Sequence, residues 1–273
     1  MATASSLSGA SLSVGAVVDT LDAVISSGGK LIVSSGGAAS STTISSGGLL
    51  SAFAGGVIAG ATVLTGGDFK GPGSVTGELV VSSGGYVSGA IVESGTGTLV
   101  LSGDGLKFAG LAVISGGTID LAAKAALGTG GVVFAAPSSG SAVLQIDAAD
   151  APKAGGTFAN VISNFNGANE DIDLTSIAFV SGASATVSGS SLVLTDGGET
   201  YTFTLAGGIA GAYPVLSDGH GGTLIDPKAL AFAQNAAAFA PSGAAKTALV
   251  SSTSPVTQTP FLHATASAGA GRL

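Results

Sequence analysis

The chain has 273 residues, a formal net charge of −8, and charged side chains at only 9% of its positions. Its 45% content of hydrophobic residues excludes a disordered acidic chain, despite the many glycines. The eight basic residues are scattered singly, which excludes the basic stripe of a nucleic-acid-binding protein and a polybasic membrane anchor. The absence of cysteine excludes disulfides and thiolate metal sites.

Residues 1–20 are rich in Ser, Ala and Val and are interpreted as an N-terminal cap or a first coil. No Lys or Arg precedes Lys30, so the sequence predicts no N-terminal secretion signal. No uninterrupted apolar run reaches the length of about 18 residues that indicates a membrane-spanning helix. We therefore expect no membrane span, and export that does not depend on an N-terminal signal.

Residues 21–135 repeat a Ser-Ser-Gly-Gly turn at a regular spacing. The second glycines of the turns follow one another at alternating steps of 8 and 11 residues, and one longer step, from Gly67 to Gly85, reads as a repeat that has lost its middle turn. A period of about 20 residues is typical of a solenoid, in which each coil buries its apolar face on its neighbours. The glycines predicted to form structural turns are Gly28, Gly29, Gly36, Gly37, Gly47, Gly48, Gly66, Gly67, Gly84 and Gly85.

Short alternating strands lie between these turns, for example Leu31-Ile32-Val33 and Thr42-Thr43-Ile44. The sequence therefore predicts an all-β fold, a right-handed parallel β-solenoid (β-helix) of roughly ten coils. The handedness follows from the general rule for parallel crossovers. Thr43 and Thr62 are predicted to lie at the same position of successive coils, but Val80 or Val81 takes that position in the coil that follows. A row of two threonines is too short for an ice-binding face.

Residues 136–227 contain nine of the sixteen acidic residues and longer strands, and are interpreted as a wider continuation of the solenoid or a second all-β segment stacked on it. Residues 228–273 are predicted to form a short Ala-rich C-terminal tail. In that tail a helix over residues 228–240 ends at Pro241 and extended chain follows. The tail is a candidate secretion signal or inter-subunit segment.

Asp171 and Asp173 are spaced to project from one face of a strand. Paired carboxylates can perform acid/base chemistry on a glycoside, but carboxylates at a strand start more often cap backbone amides or lie in solvent. The Asp218-Gly219-His220-Gly221-Gly222 segment has one copy of a Ca²⁺-loop-like pattern, for which a tight glycine turn is the better interpretation. Asp171, Asp173 and Asp218 are thus weak candidates for a Ca²⁺ site.

No other chemistry is supported by the sequence. His220 and His263 are the only histidines, too few for a zinc site, and the Ser217-Asp218-His220 cluster lies in a glycine turn that cannot hold a triad rigid. Gly71-Pro72-Gly73 fits no phosphate-loop pattern. We expect no catalytic residues, no cofactor other than Ca²⁺, and no enzyme.

The Ser-Ser-Gly-Gly turns over residues 21–120 resemble the repeats of AIDA-type adhesin passengers of Gram-negative bacteria. The second half resembles a module of repeat proteins exported by type I secretion. The segments that carry this second likeness are Ile162-Ser163-Asn164-Phe165, Asp171-Ile172-Asp173-Leu174-Thr175 and the stretch from Asp218 to Ile225. The tail segments Phe232-Ala233-Gln234-Asn235-Ala236 and Gln258-Thr259-Pro260 look similar to the tails that follow such modules. This resemblance implies one-step export with an uncleaved C-terminal signal, and hence an extracellular or cell-surface location.

Two functions from different classes remain open, beside a third interpretation as a fragment-like passenger whose activity lies in its partners. The first is an extracellular structural protein that self-associates, end to end or laterally, into surface or biofilm-matrix fibres or acts as an adhesin. Low charge along exposed strand edges favours it, because charge is the usual protection against edge pairing. The alternative is a β-helix protein that binds or cleaves cell-surface polysaccharide. This hypothesis is based on the carboxylates of Asp171 and Asp173. The expected partners are copies of the chain itself or a polysaccharide.

Overall fold

The computed structural model describes residues 6–15, 19–103, 108, 110–135, 140–167 and 169–227. All of them belong to one compact unit, Met1–Ala238, and the second unit, Phe239–Leu273, lies outside the described residues. The predicted C-terminal tail, with its helix, also lies outside them. The described residues contain strands and turns but no helix, which confirms the all-β prediction. Accordingly, none of them forms a helix long and apolar enough to cross a membrane.

The described strands are short and separated by turns, as the repeat predicts. The first thirteen are β1 (Ser6–Ser8), β2 (Ser11–Val14), β3 (Asp19–Leu21), β4 (Val24–Ser26), β5 (Lys30–Val33), β6 (Ala38–Ser40), β7 (Thr42–Ile44), β8 (Leu49–Ala52), β9 (Val57–Val63), β10 (Asp68–Lys70), β11 (Ser74–Val81), β12 (Tyr86–Ser88) and β13 (Ile91–Glu93). The others are β14 (Thr98–Leu101), β15 (Leu111–Ile114), β16 (Gly117–Leu121), β17 (Gly131–Phe134), β18 (Ala142–Ile146), β19 (Thr157–Ser163), β20 (Glu170–Leu174), β21 (Ser184–Ser188), β22 (Ser191–Asp196), β23 (Glu199–Ala206), β24 (Gly211–Tyr213), β25 (Val215–Ser217) and β26 (Thr223–Ile225).

These strands stack in three parallel ladders, which form the sides of the solenoid. The first ladder runs β1, β4, β7, β9, β11, β14, β16, β18, β20. The second runs β3, β6, β9, β11, β13, β15, β17, β19, β23. Among the described strands, the third comprises β2, β5, β8, β10 and β12. The long strands β9 and β11 bend around the corner between the first two ladders and belong to both.

The regular part of the solenoid has about six turns, fewer than the ten predicted. From Leu7 to Leu121, successive partners in the first ladder are separated by close to one sequence repeat. The next two steps, from Leu121 to Ile146 and from Ile146 to Leu174, are distinctly longer. The prediction of ten coils was wrong because it carried the regular period into a part of the chain where the turn motif no longer sets the coil length.

The core is a stack of apolar columns inside the ladders. One column of the first ladder places a buried side chain at the same position in every regular turn: Leu7, Ile25, Ile44, Val63, Val81, Leu101 and Leu121. Alternate residues of each strand point to opposite faces, so the short strands need only one or two apolar residues each. The wider turns are filled by aromatic side chains, and the Phe165 ring lies 5.2 Å from that of Phe134 and 5.7 Å from that of Tyr213.

Antiparallel strands follow the parallel stack at its C-terminal end. In the first ladder β26 pairs antiparallel with β20 and then with β25. In the second ladder β23 is followed by antiparallel β22, β21 and β24. Residues 136–227 thus comprise parallel strands of the solenoid and then this antiparallel group, and their separation from residues 21–135 as a domain stays a prediction.

Candidate functional site

The paired glycines of the turns have two different roles. At the first position the backbone has positive φ, for example 77° at Gly47. At the second position the coil below leaves no room for a side chain, because a Cβ at Gly48 would collide with the carbonyl of Ile25. Positive φ is likewise found at Gly28, Gly36, Gly66 and Gly84, and close approach of the coil below at Gly29, Gly37, Gly67 and Gly85. The sequence predicted all ten as turn residues but did not separate these two functions.

The serine that opens many turns bonds to the coil below it. The hydroxyl of Ser45 donates to the carbonyl of Ile25 at 3.3 Å, and Ser94, Ser102 and Ser115 make the equivalent bond at 3.1 to 3.2 Å. These hydroxyls therefore join neighbouring coils, and through Ser45 one Ser-Ser-Gly-Gly turn contributes to this stacking.

Asp171 and Asp173 do share the outer face of β20, but they differ in access. In register, Asp171 lies beside Val143 and Asp173 beside Gln145 of β18. Only 6% of Asp171 is exposed, so it offers little surface to a ligand. Asp173 is half-buried and continues a row with Gln145 and Asp120 of the two preceding coils. We call Asp120, Gln145 and Asp173 the acidic column.

The acidic column concentrates negative charge, and His220 is the basic side chain that acts on it, at Asp173. Burial, together with the nearby Asp147 and Asp173 carboxylates, raises the pKa of Asp120 to about 6 against the opposing effect of a hydrogen bond from Gln145. Burial also raises the pKa of Asp173, with Asp218 and Asp147 adding to the shift and His220 opposing it. Sequence reasoning missed Asp120 and Asp147, since only the stacking register brings them to Asp173.

The Asp218 side chain stabilises the glycine turn in which it lies. Its Oδ1 accepts backbone N–H bonds from His220 at 2.7 Å and from Gly222 at 2.8 Å. The slight burial of the group would raise its pKa, but these backbone hydrogen bonds lower it overall. Ser217 Oγ in turn accepts the amide of Gly219. In the sequence cluster Ser217-Asp218-His220, the side chains of Ser217 and Asp218 are therefore used in a glycine turn. The other histidine, His263, lies outside the described residues.

The described carboxylates do not form a preorganised metal site. Within the part of the chain that the structure describes, no three Asp, Glu or His side chains converge in a way that could hold an ion. Ca²⁺ requires six to eight oxygen ligands at about 2.4 Å. Asp171, Asp173 and Asp218 are brought to the same end of the first ladder without meeting that requirement, and a Ca²⁺ role for them stays a prediction.

Apart from the exposed Glu78 on β11, the outer faces of the two long ladders are uncharged over most of the described solenoid. On the first ladder the outward column consists of Val24, Thr43, Thr62, Val80 and Val100 before it becomes acidic at Asp120. On the second ladder it consists of Val57, Ser74, Val92, Val113 and Val133. We call these two rows the neutral columns. Their strands repeat at intervals of about 4.8 Å, which makes flat faces of small and β-branched side chains.

Strand edges are present at both ends of the described stack. Among the described strands, β1, β2 and β3 pair on one side only, with β4, β5 and β6 respectively. Residues 6–15, which contain β1 and β2, carry no charged side chain. At the other end β25 pairs only with β26, and β24 only with β21, within the described region.

No protein-family model, curated protein or solved structure matches the chain. The resemblance of its turns to AIDA-type adhesin repeats therefore stays a resemblance.

Proposed function

We propose that the protein is an extracellular structural protein whose β-solenoid self-associates into surface or biofilm-matrix fibres or acts as an adhesin. The observation that carries this proposal is the edge formed by β1 and β2, which carry no charged side chain and pair with described strands on one side only. Edges without charge or proline are the places where strands of another copy add. The neutral columns support lateral contact between copies, because they too present no charge that would repel another copy.

End-to-end contact would be heterologous, since the two ends of the described stack differ. The first coil offers parallel-ladder edges, whereas the far end offers β24 and β25 from antiparallel pairs. A heterologous contact that does not close on itself produces a filament. The proposed activity is thus mechanical and interfacial, with other copies of the chain as the partner and no catalysis.

Negative-stain electron microscopy of the full chain across a concentration series, with and without Ca²⁺, tests the proposal. We expect filaments one solenoid thick that lengthen with concentration. Ser6→Lys with Ser13→Lys places charge on the outward side of the first coil and should prevent end-to-end growth, while Thr62→Lys in a neutral column should prevent only lateral bundling. Dispersed single particles of the unsubstituted chain at every concentration would refute self-association.

The acidic column favours a second candidate, a protein that binds or cleaves polysaccharide. A carboxyl of raised pKa beside a second carboxyl is the arrangement that glycoside hydrolysis uses, and Asp120 and Asp173 have this character. Asp173→Ala should then abolish turnover of an exopolysaccharide by the purified chain. Turnover that is unchanged in the variant would remove Asp173 from any catalytic role.

A further inference from the structure

Glu93 is a carboxyl group inside the apolar core. It is the last residue of β13, and its register partners are Val75 of β11 below and Ile114 of β15 above. All three side chains are fully buried. The strand alternation that buries Val75 and Ile114 therefore directs the Glu93 side chain into the solenoid at a position where the neighbouring coils have aliphatic groups.

The structure provides little to compensate a charge there. Neither Oε1 nor Oε2 of Glu93 has a hydrogen-bond partner among the described residues. The carboxyl lies instead against glycine backbone, because a Cβ built at Gly97 or at Gly117 would lie 2.6 or 3.0 Å from Oε1. An ionised carboxylate in such a place loses its hydration without replacement, which is far more costly than burying the neutral acid.

The charged groups on the described strands packed against β13 cannot neutralise Glu93. On β11 the charged residue is Glu78, which is exposed, and on β16 it is Asp120, which belongs to the outer face. The strand β15 carries no charged residue. Both of these charges are negative, so neither can neutralise an ionised Glu93.

We propose that Glu93 is a proton-dependent latch, which lets the coils around β13 close while its carboxyl is protonated and loosens them when the proton is lost. This inference goes beyond the proposed function and does not depend on self-association. The device would favour folding of the solenoid in mildly acidic surroundings and weaken it in alkaline ones.

The direction of the pH effect follows from proton linkage. Burial raises the pKa of Glu93 from 4.5 to about 9, and the amide of Ser94, which donates to the carbonyl of Val75, opposes the shift only in part. Between these two values the folded chain keeps a proton that the unfolded chain has lost. The folding equilibrium constant should therefore fall about tenfold for each unit by which the pH rises through this window.

Urea unfolding of the full chain and of Glu93→Gln, followed by circular dichroism from pH 4.5 to pH 9, tests the latch. The other carboxyls titrate in both proteins, so the difference between the two curves isolates Glu93. We expect the unsubstituted chain to lose stability relative to Glu93→Gln by about tenfold in the equilibrium constant per pH unit. Glu78→Gln removes an exposed carboxyl from the adjacent strand and should leave the pH dependence unchanged.

Parallel stability curves for the unsubstituted chain and Glu93→Gln would overturn the proposal. Direct titration of the Glu93 carboxyl by carbon-13 NMR in the unsubstituted chain keeps the test decisive if the variant does not fold. A pKa near 4.5 would show that the group is hydrated and not a latch, whereas a value several units higher would support it. Hydrogen exchange of the backbone amides at the same alkaline pH would locate the opening. Exchange in β13 and β15 that is faster in the unsubstituted chain than in Glu93→Gln would show that these coils open.

Discussion

Gly48→Ala tests whether the second glycine of the turn sets the distance between coils. The added Cβ would overlap the carbonyl oxygen of Ile25, and it would lie 2.7 Å from the carbonyl carbon of that residue and 3.0 Å from the oxygen of Ser45. All three atoms belong to the backbone, so no side-chain rotation can relieve the overlap. The coil that contains Gly48 must move away from the coil below it.

The size of the effect follows from this displacement. A shift of about 1 Å restores ordinary contact but stretches the 2.9 Å bond between the Ser45 amide and the Ile25 carbonyl. Overpacking of a well-packed site typically costs about 1–3 kcal/mol, and a weakened hydrogen bond adds about 1 kcal/mol. We expect Gly48→Ala to lower the free energy of unfolding by about 3 kcal/mol, which corresponds to a fall in Tm of about 6–12 °C for a chain of this size.

Urea unfolding at fixed pH measures the change, with Gly60→Ala as the matched control. A Cβ at Gly60 would lie 3.5 Å from the Ser41 amide, an ordinary contact, so this variant should be neutral or stabilised by about 0.5 kcal/mol. Asn tolerates positive φ, so Gly47→Asn should be milder than Gly48→Asn. If Gly48→Ala unfolds at the same urea concentration as Gly60→Ala, close approach does not explain the second glycine.

Three further variants test other contacts. Thr223→Val should destabilise the fold by about 2 kcal/mol in urea unfolding, because the buried Asp196 carboxylate loses the hydroxyl that donates to its Oδ2 at 2.8 Å. Asp120→Asn should raise stability at pH 7.5 by about 1 kcal/mol, allowing for screening at this half-exposed group, because it removes a carboxylate whose ionisation is opposed by burial and then by Asp147 and Asp173. The variant should change stability little at pH 3, where the carboxyl is mostly protonated in both the folded and the unfolded chain. Equal changes at the two pH values would contradict the raised pKa of Asp120. Tyr213→Phe should cost about 1 kcal/mol in a thermal melt, because its hydroxyl donates to the buried carbonyl of Phe165.

Much of the regular solenoid could be predicted from its spacing alone. The alternation of a short and a long step corresponds to two corners of each coil, one after the first ladder at Gly48 and one after the third at Gly56. The prediction that Val80 or Val81 would follow Thr43 and Thr62 is also confirmed, since Val80 stacks on Thr62. Such features are local, because each is fixed by the turn and the strand next to it.

The sequence pattern was misleading at one turn. The long step from Gly67 to Gly85 predicts a coil that has lost its middle turn, but a corner is present there at Gly71-Pro72-Gly73. Gly71 has a φ of 107°, and a Cβ at Gly71 or Gly73 would collide with Ala52 of the coil below. The same two constraints, positive φ and close approach, are thus met by a different order of residues. A search for the dipeptide Gly-Gly therefore misses corners, such as Gly71-Pro72-Gly73, that have the same backbone geometry with another sequence.

The long-range contacts could not be predicted in the same way. Glu93 reads as the end of an ordinary alternating strand, and only the stacking of Val75 and Ile114 on either side shows that it lies in the core. Asp120 and Asp173 are separated by two coils of unequal length, so no fixed period connects them. Their proximity depends on the register of strands that are far apart in the sequence.

The distribution of turn glycines also explains where the regular solenoid ends. Tight corners on both sides help to fit a third strand into a coil of regular length, and the last described strand of the third ladder, β12, comes directly after the last full Ser-Ser-Gly-Gly turn at Gly84 and Gly85. The last regular step ends at Leu121, shortly after the doublet Gly116-Gly117. Beyond that point the coils widen, and aromatic rings occupy the added volume. The full Ser-Ser-Gly-Gly motif thus ends two coils before the regular coil length does, and the looser doublet Gly116-Gly117 accompanies the last regular step.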